Sequence, residues 1–259
     1  MRVVFDRVLG TLDSLVWDGK ELLRTAPESN FWRAPTDNDF GNRMPRRLRV
    51  LHAGGARLFT TWAVYGSGDV VMRQRFVPGD TLLPELPRLG LRFTMPAGFD
   101  SVVWFGRGPQ ETYWDRKTGA AVGVYRAVAA ELYHPYERPQ ETGTRADVRW
   151  MAVQNAAGTG LLAVGQPLLE ASALDVLQDD LDEGQAKVNR HAYMVPRRPF
   201  TEVRLDWHQM GVGGDNSWGA LTHPEYRLPV RTYEWSVRLR SFARGDRSPF
   251  ALARVSLPE

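Results

Sequence analysis

A two-residue period constrains this 259-residue sequence more than any other feature. Val203, Leu205 and Trp207 alternate with Arg204, Asp206 and His208, and Tyr233, Trp235, Val237 and Leu239 alternate with Glu234, Ser236, Arg238 and Arg240. Such alternation puts apolar side chains on one face of an extended strand and polar ones on the other. It suits antiparallel sheets packed on one side. The same reading predicts strands at Val3–Asp6, Thr11–Trp17, Lys20–Leu23, Leu58–Tyr65, Val70–Val77, Leu89–Met95, Ser101–Phe105, Ala120–Tyr125, Asp147–Gln154, Gly160–Val164, Glu202–Gln209 and Thr232–Phe242. Asp18-Gly19 sits between two such runs and predicts a tight hairpin with positive φ at both turn residues. Helical spacing is thin: Leu174–Val188 shows some, and Gly184 interrupts it. Strands do not alternate with long amphipathic helices, which excludes a (β/α)8 barrel and a dinucleotide-binding fold. The expected architecture is all-β, a large antiparallel two-sheet sandwich forming one domain over residues 1–259.

Composition narrows the functional classes. The apolar fraction of 43% supports a sizeable core. The absence of cysteine excludes a disulfide framework, a cysteine zinc site and a thiol nucleophile. It fits a reducing compartment, and the expected location is cytoplasmic. A net charge of +3 from 33 basic and 30 acidic residues is weak for this length. Arg43, Arg46, Arg47 and Arg49 form the one dense basic stretch. Without interleaved aromatic residues it reads as a solvated or ion-paired loop, so no nucleic-acid partner is expected. No apolar run reaches the roughly 18 residues of a membrane helix. Arg2, Asp6 and Arg7 break any signal-peptide core in the first segment.

Most motifs for catalysis fail on inspection. Gly211, Gly213 and Gly214 lack the spacing of a dinucleotide fingerprint and no helix follows them. Asp37-Asn38-Asp39 hints at a calcium loop, but Asn42 and Leu48 stand where that loop needs Gly and Glu. Asp180 and Asp182 give a similar hint, and such turns usually hydrogen-bond their own backbone. The histidines are scattered, and no metal site or cofactor is expected. Sugar hydrolysis needs a placed pair of carboxylates, for which Glu111, Asp115, Glu137, Glu141 and Asp215 are candidates. The structural alternative is an ion-paired network of Glu111, Asp115 and Arg116 bracing a loop.

Four dense segments remain: residues 30–41 (NFWRAPTDNDFG), 104–116 (WFGRGPQETYWDR), 133–143 (YHPYERPQETG) with 148–150 (VRW), and 206–219 (DWHQMGVGGDNSWG). In this order they resemble the C-terminal domain of family 2 β-galactosidases, found also as the small subunit of two-chain β-galactosidases. The likeness runs from the Phe5-Asp6 and Gly10 to Leu12 opening to the last strand. It implies a β-supersandwich similar to the galactose mutarotase fold. It also implies that the catalytic glutamates lie on a separate (β/α)8 barrel, in the same or another chain. The family domain usually begins somewhat earlier, so the sequence reads as a fragment or as a natural small subunit. No catalytic residue is expected here, and the substrate class is terminal β-D-galactosides such as lactose.

Trp218 is the leading functional residue. It stands in a polar, glycine-rich turn, a wasteful place for core material, and its indole suits the C–H face of a pyranose. The resemblance implies that this Trp reaches the barrel pocket and forms a wall for the sugar, with Asp215, Asn216 and Gly41 as further substrate-binding residues. It also implies that the stretch after Gly41 lies near the site entrance. Arg33, Asp37, Asn38, Asp39, Glu111, Asp115, Arg116 and Glu141 match motif positions and read as interface or loop-bracing residues. Thr142 stands where many relatives carry Asn. Trp32, Trp104, Trp150, Trp207 and Trp235 fall in strand-like segments and read as core. Two alternatives are a freestanding mutarotase-like aldose epimerase, for which His208 and Glu141 are the nominal acid and base, and a carbohydrate-binding module.

Overall fold

The computed structural model describes residues 1–48, 55–79, 84–216 and 218–257. Strands β1 (Arg2–Phe5), β2 (Leu12–Trp17) and β3 (Lys20–Glu21) form a small antiparallel sheet. Asp18 and Gly19 adopt φ of 47° and 70° and close the β2–β3 hairpin, with Trp17 opposite Lys20. Ten further strands share one sheet: β4 (Glu28–Asn30), β5 (Arg57–Val64), β6 (Asp69–Val77), β7 (Arg88–Met95), β8 (Phe99–Gly108), β9 (Ala121–Val128), β10 (Arg145–Asn155), β11 (Gly160–Leu174), β12 (Thr201–Gln209) and β13 (Tyr233–Phe242). The helices are short: α1 (Asp37–Gly41), α2 (Met44–Arg47), α3 (Ala129–Leu132), α4 (Gln178–Leu181) and α5 (Pro249–Ala253).

Every strand pairing in the large sheet is antiparallel, and β11 is its branch point. The first half of β11, Gly160–Gln166, pairs with β13, and its second half, Glu170–Leu174, pairs with β12. Strand β10 runs along the other edge of both halves. Residues between Val164 and Leu169 bulge out, since these two lie opposite Trp150 and Val148. From β11 one limb continues through β12, β7 and β4, and the other through β13, β6 and β5. The limbs face each other: Phe31 packs on Phe76 with ring centroids 5.7 Å apart, Trp207 on Tyr233 at 5.0 Å, and Gln74 donates to Ser29 at 2.8 Å. The expected antiparallel two-layer architecture is therefore present, with its layers joined through one long strand.

The main core between the layers includes Met72, Leu91, Phe93, Val102, Met151, Leu161, Val203, Leu205, Trp235, Val237 and Leu239. Leu12 and Leu15 of β2 seal it from the side. Trp104, Trp150 and Trp235 are buried, and Trp32 and Trp207 are half-buried.

Two expectations are corrected. Leu174–Val188 is not helical over its length: β11 runs to Leu174, and only Gln178–Leu181 forms a helical turn. The polar face of β12 does not meet water. Glu202, Arg204 and Asp206 are 3%, 0% and 1% exposed. Glu141, from the segment before β10, and Arg88, at the start of β7, supply opposite charges to Arg204 and Asp206, which is what makes the burial tolerable.

Strand β7 makes room for this arrangement. Gly90 lies directly opposite Asp206, and a Cβ there would sit 2.0 Å from Asp206 Oδ1 and 2.7 Å from its Cα. Gly90→Ala should therefore cost about 3 kcal/mol through overpacking. The check is urea denaturation: the midpoint should fall with an unchanged slope, and a wild-type midpoint would contradict the packing.

Candidate functional site

Three arginines anchor the region around the four sequence motifs. Arg33, Arg88 and Arg204 are each fully buried. Arg33 grips Asp39 through two bonds of 2.9 and 3.1 Å. Arg88 contacts Glu141 at 3.0 Å and Asp206 at 3.3 Å, and donates to Gln178 at 2.6 Å. Arg204 contacts the same Glu141 at 3.1 Å and lies 3.5 Å from Glu202. Glu141 also accepts from Thr144 at 3.1 Å, and its backbone N–H donates to Ala34 at 3.2 Å.

The electrostatics follow from burial against pairing. Burial alone would push the Glu141 carboxyl up, but Arg88, Arg204 and Arg33 together hold it below its usual value. Asp206 is shifted the other way. Burial raises it to about 7; Arg88 opposes the shift, while the neighbouring Glu141 and Glu170 charges add to it.

This buried layer clamps the root of the loop that carries Trp218. Arg33 donates to the carbonyls of Met210 and Gly211, the latter at 3.0 Å. Asn38 donates to the Val212 carbonyl at 2.9 Å. The Asp115 carboxylate accepts from the N–H groups of Val212 and Gly213 at 3.0 and 2.8 Å. Gly211 is required there, because a Cβ would lie 2.5 Å from the Asp115 carboxyl carbon. Asp39 also caps α1: its carboxylate accepts from Thr36 N–H at 2.9 Å while Thr36 Oγ1 accepts from Asp39 N–H at 3.1 Å.

Beyond this root the loop projects. Asn216 Oδ1 accepts from the N–H groups of Trp218 and Ala220 at 2.9 and 3.2 Å, folding the tip into a turn. Asp215 contacts His223 at 2.6 Å. Gly219 rests on the Gly41 carbonyl, 3.0 Å from where its Cβ would be. Trp218 is 87% exposed, whereas the other eight of the nine tryptophans are buried or half-buried.

The structure thus brings Arg33, Asn38, Asp39, Gly41, Asp115, Asp215, Asn216 and Trp218 into one assembly, with Glu141 in the adjoining buried layer. Glu111, Asp115 and Arg116 do not form a single network. Glu111 pairs with Arg116 and accepts from Tyr136 and from Gly143 N–H, the last at 2.8 Å, while Asp115 turns to the loop amides. Thr142 lies 3.2 Å from Glu111 through its hydroxyl. Asp37 faces outward to Lys187 and Arg138. Glu141, nominated as an epimerase base, is enclosed between two guanidiniums, and His208 stacks on Trp114 at 4.4 Å. Arg47 pairs with Glu85, Arg43 and Arg46 are exposed, and Arg49 lies outside the described residues. Among the described residues no cluster of three or more His, Cys, Asp or Glu is arranged to hold a metal ion, and no helix is long and apolar enough to cross a membrane.

Sequence reasoning missed Arg88, Arg204, Asp206 and His223. An isolated charge inside a strand reads as a solvent-facing residue, and the partners lie far along the chain. The one available signal was Gly90 within the strand, a mark of close approach by another segment.

Comparisons with known proteins identify the family. The family described as "Beta galactosidase small chain" matches residues 1–239. A β-galactosidase from Priestia megaterium is 37% identical over 254 residues, covering 87% of this chain and 24% of the relative. Those from Halalkalibacterium halodurans and Lactobacillus delbrueckii subsp. bulgaricus are 32% and 33% identical, covering 87% and 89% of this chain and 25% of each relative. The chain thus spans about a quarter of the length of the curated relatives it matches. Among solved structures, a GalM/aldose epimerase homologue from C. elegans aligns with 12% identity and a TM-score of 0.39, over 89% of this chain and 78% of that one. An α-N-acetylgalactosaminidase from Bifidobacterium bifidum aligns with 13% identity and a TM-score of 0.40, over 94% and 35%.

Two outcomes follow from the buried layer. Glu141→Gln strands two guanidiniums away from water and should destabilise the protein by about 3–5 kcal/mol, measured by urea denaturation. Asp206 binds its proton more tightly in the folded state than in the unfolded chain, whose value is about 4. Between there and about 7 the folded state holds the extra proton, so this group's contribution to stability falls as pH rises. The wild type should lose stability relative to Asp206→Asn across that window. A constant difference between the two would contradict the shift.

Proposed function

The chain belongs to the β-galactosidase small-chain family, and from that premise we propose that it completes the sugar pocket of a retaining β-galactosidase. In this reading the bond-breaking carboxylates lie on a separate (β/α)8 barrel, in the same polypeptide or a partner chain. The substrates are terminal β-D-galactosides such as lactose. The setting is cytoplasmic, with which the cysteine-free composition is consistent.

The observation that carries the proposal is Trp218, 87% exposed on a loop whose root is pinned by four side chains, Arg33, Asn38, Asp39 through Arg33, and Asp115. A folded chain gains nothing by leaving an indole in water. Against the C–H face of a pyranose the same ring removes apolar area from water on both partners, a gain on the order of 1–3 kcal/mol. Asp215 and Asn216 use their side chains within the loop, so they shape the wall rather than reach for sugar hydroxyls. Gly41 sits under the tip, where its carbonyl leaves room for Gly219. The buried carboxylates of Asp39 and Glu141 are engaged by guanidiniums, in keeping with a positioning role.

In the assembled enzyme, Trp218→Ala should raise KM for nitrophenyl galactoside and weaken galactose-like inhibitors about ten-fold or more. The 259-residue chain by itself should not turn over that substrate. An unchanged KM with unchanged inhibitor affinity would refute the wall role, and robust turnover by the chain alone would refute the division of labour.

A further inference from the structure

Resting on that reading, we propose that His223 is the positioning residue that governs how firmly the Trp218 loop is held: protonated, it ties the loop's two arms together, and neutral, it lets them part. The loop leaves the body at Gly211, whose N–H donates to the Tyr226 carbonyl at 2.8 Å and whose carbonyl accepts from Thr222 Oγ1 at 3.2 Å. Past Gly213 the outgoing arm is loosely built, with Gly213 and Gly214 at φ of 69° and 127° and residues 214–216 exposed. The tip turn around Asn216 is closed on itself. Between that tip and the root, the Asp215–His223 contact is the brace from one arm to the other among the described residues.

His223 is mounted on a firm post. Pro224 follows it and fixes its own φ, and Tyr226 N–H donates back to the His223 carbonyl at 3.0 Å. The Tyr226 ring packs edge-on against Trp114 at 5.8 Å. The imidazole reaches in two directions: Nε2 lies 2.6 Å from Asp215 and Nδ1 lies 3.9 Å from Glu225. Only the imidazolium carries a proton on both nitrogens. It can therefore serve both carboxylates, whereas the neutral ring donates to one and leaves two like charges on either side of it.

The surrounding charges bias the switch. The Asp215 hydrogen bond and charge raise the His223 titration above its ordinary value, Glu225 adds to this, and Arg227 opposes it. From the segments packed on the loop, Asp115 is occupied by two backbone amides, Asp39 by Arg33, and Asp37 by Lys187 and Arg138. Asn38, Gly41 and Asn42 lie close to Gly213, Gly214 or Gly219 and do not titrate. The brace is firm below the raised His223 value and weakens as pH rises through it, when one N–H is left between two carboxylates.

The test has two arms. In the full chain, NMR should follow the His223 ring and the order of the Trp218 indole N–H together. Indole order should fall as His223 loses its proton, Asp215→Asn should lower the His223 titration, and His223→Lys should keep the indole ordered throughout. Indole order that ignores the His223 titration overturns the proposal. In the assembled enzyme, His223→Gln should raise KM about two- to five-fold below the His223 titration, the range expected of an exposed ion pair, and converge on wild type above it with kcat unchanged. A KM ratio flat with pH, in an enzyme whose KM does respond to Trp218→Ala, overturns the brace alone. No response to Trp218→Ala removes the sugar-wall reading instead.

Discussion

Three guanidiniums buried beneath a surface loop set the terms for the rest of this molecule. An arginine taken out of water costs several kcal/mol unless its donors are met. Arg33, Arg88 and Arg204 have no solvent to turn to, so partners must be delivered by the chain. Asp39 comes from α1, Glu141 from the segment before β10, Asp206 and Glu202 from β12, and the Gly211 carbonyl from the loop root. These segments are distant in sequence, and each is placed within about 3.5 Å of a guanidinium by the same requirement. The net result is a rigid polar floor in an otherwise apolar sandwich. Hydrophobic packing is tolerant of small shifts, while the bidentate Arg33–Asp39 pair fixes direction as well as distance. A loop rooted on such a floor leaves the body along a defined path.

Much of the sandwich was legible because a strand's period survives in sequence. The gaps have physical causes. Strand β4 is three residues long, too short to display a period. The strand pattern in sequence ends at Val164, just before Gly165 and Pro167. They form a bulge inside a continuing strand, where the chain switches from pairing with β13 to pairing with β12. The period also tells which residues share a face but not what covers that face. Arg204 and Arg240 look alike in sequence, yet Arg204 is fully buried beside Glu141 and Arg240 is partly exposed beside Asp69.

The candidate site was legible at its tip and, through Arg33, Asn38, Asp39 and Asp115, at its root, and hidden in the buried layer beneath. A tryptophan among Gly, Asp and Asn announces itself, since turn residues leave it no core to enter. That layer depends on pairs separated by tens of positions, such as Arg204 with Glu141, and no local pattern marks them. His223 was hidden for the opposite reason. Its neighbours, Pro224 and Glu225, read as an ordinary turn, and its meaning comes from Asp215 folding back onto it across the loop.

The division between a stiff root and an adjustable tip bears on how such a ring could help bind sugar. Ordering a free loop on binding consumes part of the contact energy, so a loop already held in place binds more tightly for the same contacts. Here Asp115, Asn38 and Arg33 hold the first residues of the loop before any ligand arrives, and Asn216 satisfies the Trp218 backbone. Beyond the root the exposed span is short, and one exposed ion pair, Asp215 with His223, joins its arms. Because that span is small, an interaction of modest strength is enough to change how often the indole stands ready. Greater stiffness at the tip would gain little more in that proposed role, which requires a sugar to enter and leave. In the proposed sugar-wall role, weak bracing at the tip over strong, buried bracing at the root would keep both affinity and exchange.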